Sequence, residues 1–132
     1  MIVFLIGSSN SNLCSAILSI IYQEPEGKNI PSKVWVGSIT SRLSGVEVLR
    51  SVNKFDPLLV NYAKSVMKQI SVCEIEEDIL RRAESYGPEI TAKASDAIHL
   101  ATAEALSSLV KGVLTLDKQM AKNAQKLKLT LY

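Results

Sequence analysis

The stretch Ser95-Asp96-Ala97-Ile98-His99-Leu100-Ala101-Thr102-Ala103, followed by Leu114-Thr115-Leu116-Asp117, decides how the rest of this chain is read. An aspartate opens an alanine-rich helix, and a second aspartate closes a short apolar strand 21 residues later. Open parallel α/β sheets bind ligands beyond the carboxyl ends of their strands. Carboxylates gathered there could converge on a divalent cation, and ligands that are all oxygen favour Mg²⁺ or Mn²⁺ over zinc. That combination points to phosphate chemistry.

Working outward, apolar and amphipathic runs alternate along the chain. Ile2 to Ile6 is a short continuous apolar run, the pattern of a strand covered on both faces. Leu13 to Tyr22 reads as a buried helix that ends near Glu24-Pro25-Glu26-Gly27. Lys33 to Thr40, with Val34-Trp35-Val36 inside it, reads as a second strand, and residues 41–50 as a helix with Leu43, Val46 and Leu49 on one stripe. Asp56-Pro57 is a helix start, the aspartate capping and the proline in the first turn. Ser71 to Ile75 is a weak strand, and Glu76 to Tyr86 a helix stopped by Gly87-Pro88. After the Ser95 helix, which runs to about Leu109, come a strand from Gly112 to Leu116 and a helix from Lys118 to Lys126. Leu127 to Tyr132 completes the pattern as an edge strand. Such alternation predicts a single domain over residues 1–132 with a mainly parallel sheet covered by helices on both faces.

Composition agrees with a globular domain. Of 132 residues, 47% are apolar and 21% charged, and 15 basic against 13 acidic side chains leave a net charge of +2. That balance neither demands nor excludes nucleic acid. Cys14 and Cys73 form no CxxC or Cys/His ligand pattern and read as reduced thiols. The uncharged amino terminus lacks the basic segment of a signal peptide. Its apolar run is broken by Ser8-Ser9-Asn10-Ser11-Asn12, short of the roughly 20 residues that span a bilayer. The expected location is the cytoplasm.

Three segments together carry a resemblance: residues 41–50 (Ser-Arg-Leu-Ser-Gly-Val-Glu-Val-Leu-Arg), residues 95–103, and Leu114-Thr115-Leu116-Asp117-Lys118-Gln119-Met120-Ala121. In order and spacing they resemble the PIN-domain ribonucleases, and most of all the VapC toxins of bacterial toxin–antitoxin pairs. The resemblance implies a three-layer α/β/α sandwich around a mainly parallel sheet. It also implies an acidic cluster that holds Mg²⁺ or Mn²⁺ and hydrolyses RNA. Glu47, Asp96 and Asp117 stand at three of those acidic positions. A cognate antitoxin and a homodimer are the implied protein partners.

One departure accompanies the match. The family opens with a strand ending in an aspartate, followed by a Ser/Thr-rich turn. Taking Ile2-Val3-Phe4-Leu5 as that strand puts Ile6 at the position. Setting the register by Ser15-Ala16-Ile17-Leu18 and Glu24-Pro25-Glu26 puts Leu13 there, and this register needs no gap. In either register the first aspartate is absent, so weakened metal binding and cleavage are expected. Asn10 or Asn12 could offer only a neutral oxygen.

Each residue also has a plainer reading. Asp96 and Asp117 could cap helices, Glu47 could pair with Arg50, and a histidine such as His99 in an Ala/Leu-rich helix is commonly a buried packing residue. A D-x-x-H ligand pair of Asp96 and His99 is the sharper alternative. Thr115 and Ser95 are hydroxyls placed to support the carboxylates, Thr115 being two residues before Asp117 on a strand and so on the same side. Lys118, Lys122 and Lys126 recur every four residues, with Lys128 beyond, and Arg42 and Arg50 flank Glu47. These cations could track an RNA backbone or simply form a solvated surface. Two functions follow: a metal-dependent endoribonuclease, or an impaired PIN module that binds antitoxin or RNA without cutting. A phosphatase acting on small substrates would need a closed pocket that nothing in the sequence argues for.

Overall fold

In a computed structural model of the chain, residues 3–5, 16–24 and 28–132 are described. Strands β1 (Val3–Leu5), β2 (Ile39–Ser41), β3 (Ser71–Cys73) and β4 (Gly112–Leu114) form one sheet in the order β3-β2-β1-β4. All the strand pairs are parallel, with Phe4 opposite both Ile39 and Val113, and Thr40 opposite Val72. Parallel neighbours need crossover connections, and helices supply them. These are α1 (Ala16–Ile21), α2 (Ser32–Trp35), α3 (Leu43–Phe55), α4 (Val60–Met67), α5 (Glu77–Glu84), α6 (Ala94–Ala105) and α7 (Lys118–Lys126).

Successive side chains on a strand face opposite ways, so Phe4 and Leu5 enter different layers. Leu5 joins Ile17, Ile21, Val48, Val52 and Val66 in the core beneath α1, α3 and α4. Phe4 joins Leu100, Ala103, Val113, Met120 and Ala124 in the core beneath α6 and α7. The result is the α/β/α sandwich with a parallel central sheet that the strand–helix alternation predicts.

Local signals explain most boundaries. Asp56 Oδ1 accepts from the Leu58 amide at 3.1 Å and starts a 3₁₀ turn over Pro57–Leu59 that runs into α4. Asp117 starts α7 in the same way. Two segments differ from expectation. The strand expected over Lys33 to Thr40 is instead the short helix α2 followed by β2 from Ile39. Pro31 opens that helix, with the Val34 amide donating to its carbonyl at 2.8 Å, and Gly37 ends the turn at a φ of 80° that favours glycine. Val34 is thereby buried without belonging to the sheet.

The edge strand expected over Leu127 to Tyr132 is reduced to a single parallel bridge between Val113 and Leu131. Its first residues are spent on ending α7. Lys128 takes a φ of 61°, and the Leu129 amide reaches back to the Ala124 carbonyl at 2.9 Å. No helix among the described residues is long and apolar enough to cross a membrane.

Candidate functional site

Helix α3 begins directly after β2 and α7 directly after β4, so their first turns stand at the carboxyl edge of the sheet. Helix α6 leads through a turn into the start of β4, and its own first turn therefore lies toward the same edge. Thr91, just before α6, touches Gln119 in the first turn of α7, which fits that placement. The three acids singled out in the sequence lie on these helices: Glu47 in α3, Asp96 in α6, and Asp117 at the start of α7.

Asp96 is 9% exposed and Asp117 7% exposed. Asp96 sits in the first turn of α6 but is not its cap, which falls at Lys93. Asp117 is a cap: its Oδ1 accepts from the amides of Gln119 at 2.8 Å and Met120 at 3.1 Å. Thr115, one residue past the end of β4, accepts on its hydroxyl from the Asp117 amide at 3.2 Å, a bond to the backbone of Asp117 and not to its carboxylate. Ser95 is half-buried beside Asp96.

Glu47 is held by a residue from the opposite layer. His99, fully buried, meets Glu47 Oε1 through its Nε2, while the Glu47 side chain stays 23% exposed. Both helices contact β2, and the pair joins the layer of α3 to the layer of α6. A carboxylate only accepts, so Nε2 carries the hydrogen. The Nδ1 atom of the ring is buried without a hydrogen-bond partner among the described residues.

A second clasp works on α7. Asn123, fully buried, accepts on Oδ1 from the Thr91 amide at 3.1 Å, and Gln119 Nε2 donates to the Thr91 hydroxyl. Lys126 Nζ donates to the Glu89 carbonyl at 2.7 Å. The helix that Asp117 caps thus holds the loop that leads to Asp96. Nothing in the local sequence pattern flags Thr91. Asn123 does leave a trace, being a polar residue at helical spacing from buried Met120.

Beneath the edge, the Thr40 hydroxyl donates to the Leu5 carbonyl at 2.6 Å and lies 2.7 Å from the Ser44 hydroxyl. This network ties the end of β1 to β2 and α3. Ile6 and Leu13, the two positions considered for a missing aspartate, lie outside the described residues, as do Asn10, Asn12 and Cys14. With β1 ending at Leu5, the residue that follows the inner strand in the chain is Ile6.

The singled-out cations lie on the surface. Arg42, Arg50, Lys118 and Lys122 are exposed, and Arg42 approaches Glu74 at 3.9 Å. Lys126 is engaged with Glu89, and Lys128 lies past the end of α7, so the expected lysine stripe is shorter than its spacing suggests. Cys73 is half-buried and forms no disulfide. Burial, and then Glu76 and Glu74, push its thiol pKa up, which leaves it a weak nucleophile.

The donor chemistry suits a hard divalent cation, since every candidate ligand offers oxygen. Among the described residues, no group of three or more His, Cys, Asp or Glu side chains is placed to hold a metal ion. Mg²⁺ commonly uses one or two carboxylates and keeps water on its other positions. Asp96 and Asp117 carry oxygen donors of that kind, and Glu47 is held toward His99.

No family model matches this chain, and no curated protein matches it significantly. Among solved structures it is similar to a chain of a toxin–antitoxin complex from Klebsiella pneumoniae. The two share 20% identity and a TM-score of 0.68 over 92% of this chain and 91% of that chain. The likeness is one of fold, and it covers nearly the whole of both chains.

Proposed function

We propose that this chain is the toxin of a toxin–antitoxin pair, a VapC-like PIN-domain endoribonuclease that hydrolyses RNA phosphodiester bonds with Mg²⁺ or Mn²⁺. The observation that carries the reading is two largely buried aspartates, Asp96 and Asp117, at helix starts on the carboxyl side of a wholly parallel sheet. The fold-level likeness to a toxin–antitoxin complex supports it independently.

Within this reading Asp96 and Asp117 would hold the cation, and Glu47, the third acid of the resemblance, is turned to His99. The chemistry supplied with a bound ion is neutralisation of charge growing on the phosphate and acidification of the attacking water. Thr115 fixes the backbone of Asp117, and the cap bonds to Gln119 and Met120 fix its carboxylate. Arg42, Arg50, Lys118 and Lys122, all exposed, screen the RNA backbone as it approaches. An antitoxin partner is supported by exposed Phe55, Leu58 and Tyr62 around the α3–α4 turn, since clustered exposed apolar residues mark protein contacts.

A second reading, an impaired module that binds without cutting, is favoured by one observation. Neither Leu13, in the register that needs no gap, nor Ile6, in the other, is the aspartate that the family carries there.

The deciding experiment is cleavage of a mixed RNA pool in Mg²⁺ or Mn²⁺ by the purified protein beside Asp96→Asn, Ile6→Asp and Leu13→Asp. Cleavage that Asp96→Asn abolishes establishes the enzyme. Cleavage only in Ile6→Asp or Leu13→Asp establishes a disabled toxin and identifies the missing position. Silence in every variant sinks the ribonuclease reading and leaves the binding module.

A further inference from the structure

We propose that the outer strand β3 is a docking edge for a second copy of this chain, the two β3 strands pairing antiparallel about Val72 so that their sheets join across a two-fold axis. The inference stands apart from the metal and RNA reading above.

The argument begins with the two edges of the sheet. On the far side of β4, the Leu131 bridge and the Tyr132 amide, which donates to the Val113 carbonyl at 2.9 Å, occupy the backbone. On the far side of β3 no strand pairs among the described residues. The Ser71 amide donates to the Ser38 carbonyl at 2.7 Å, and the Cys73 carbonyl accepts from the Arg42 amide at 2.8 Å. These residues therefore turn their backbone groups toward β2. The residue between them turns its own the other way, so the Val72 N–H and C=O face the open side. Natural edges are commonly blunted by a charge, a proline or a bulge, and Ser71-Val72-Cys73 carries none of these. Val72 itself is 39% exposed.

Charge selects the occupant and its direction. Lys68 is exposed at the amino end of β3, and Glu74, Glu76 and Glu77 are exposed past its carboxyl end. Arg42 and Arg81 draw on Glu74 and Glu77, while Lys68 and Glu76 form no ion pair among the described residues. A parallel copy would set lysine beside lysine. An antiparallel copy centred on Val72 sets each Lys68 toward Glu76 of the other, since both lie four residues from Val72. At the axis the two Val72 residues form a pair that exchanges both N–H···O bonds. Such a contact is isologous and uses up both open edges, so assembly stops at two chains.

Three residues a side fall well short of the about 800 Å² per partner of a standard interface. Helix α4 leads into β3 and α5 leads out of it, so their outer surfaces must share the contact. Leu80 on α5 is an exposed apolar side chain available to it. Val36 is another: its neighbour Gly37 donates to the Gln69 carbonyl at 2.9 Å, just before β3.

The test weighs the purified full chain by sedimentation equilibrium over a concentration series, with thermal unfolding in parallel. The samples are wild type, Val72→Lys, Val72→Pro, Lys68→Glu and the double variant Lys68→Glu/Glu76→Lys. Wild type should reach the mass of two chains. Val72→Lys sets like charges opposite each other at the axis and should leave a monomer. Val72→Pro removes an N–H that the single chain does not use, a change edge strands tolerate, and should also leave a monomer. Lys68→Glu should raise the dissociation constant by roughly 2–30-fold, because the pair occurs twice, and the double variant should recover most of the loss. A wild type that stays monomeric throughout overturns the proposal, as does a dimer that both Val72 variants leave intact. Should the Val72 variants fail to fold, the exposed charge pair decides: a dimer that Lys68→Glu does not weaken, or that the double variant does not restore, refutes the antiparallel pairing.

Discussion

The two layers of the sandwich are closed by different means. On the Leu5 side the core is broad and aliphatic, built from Ile17, Ile20, Ile21, Val48, Val52 and Val66. The polar groups buried near it are hydroxyls satisfied close by: Ser19 on Glu24, Ser38 on the Trp35 carbonyl, Thr40 on Leu5 and Ser44. On the Phe4 side the aliphatic set is smaller, and the buried polar groups are an imidazole, a carboxamide and two carboxylates besides the Thr102 hydroxyl, which is satisfied within its own helix by the Ile98 carbonyl. Apolar contacts are non-directional and stabilise whatever fills the space. Hydrogen bonds from buried side chains are directional, and leaving them unmade is costly. One layer therefore holds the chain together, and the other holds particular atoms in particular places.

Three substitutions would sharpen or break that contrast. The largest effect belongs to the aliphatic layer: Leu5→Ala should cost about 2–5 kcal/mol, read as a lower midpoint in urea with an unchanged slope. Asn123→Ala should cost less, about 0.5–1.5 kcal/mol, the usual net worth of a hydrogen bond, since Thr91 is exposed and its freed amide can turn to water. Its effect should also be local, with amide hydrogen exchange rising first in the loop before α6. Asp117→Asn should be the mildest, under about 0.5 kcal/mol, since asparagine caps a helix about as well as aspartate. Cleavage should nevertheless vanish with the charge. If Asp117→Asn instead cost as much stability as Leu5→Ala, the division of labour between the layers would be wrong.

The fold was largely readable because its signals are local. Asp117 is followed by a run of helix-forming residues, and α7 spans Lys118–Lys126 as that pattern implies. Asp56-Pro57 worked for the same reason. The failures came where an apolar triplet carries no period: Val34-Trp35-Val36 suits a strand, but Pro31 and Gly37 bracket it as a helical turn. In the site, Asp96 and Asp117 stood out as acids in apolar surroundings. The partner of Glu47 did not, because His99 lies 52 residues away and only the stacking of two layers brings them together. Thr91 and its clasp on α7 were invisible for that reason too.

The parallel sheet has a consequence for how the chain comes to be folded. β1 lies inside the sheet between β2 and β4, so Val3 must pair with Gly112, 109 residues later. At synthesis rates of about 5–20 residues per second, the first strand waits roughly 5–20 s for its second neighbour. Until then one edge of Phe4 and Leu5 has no strand beside it, and such non-local pairing is slow to form. The strand made first is the last to be enclosed, and the carboxyl-edge site can assemble only after α6, β4 and α7 have left the ribosome.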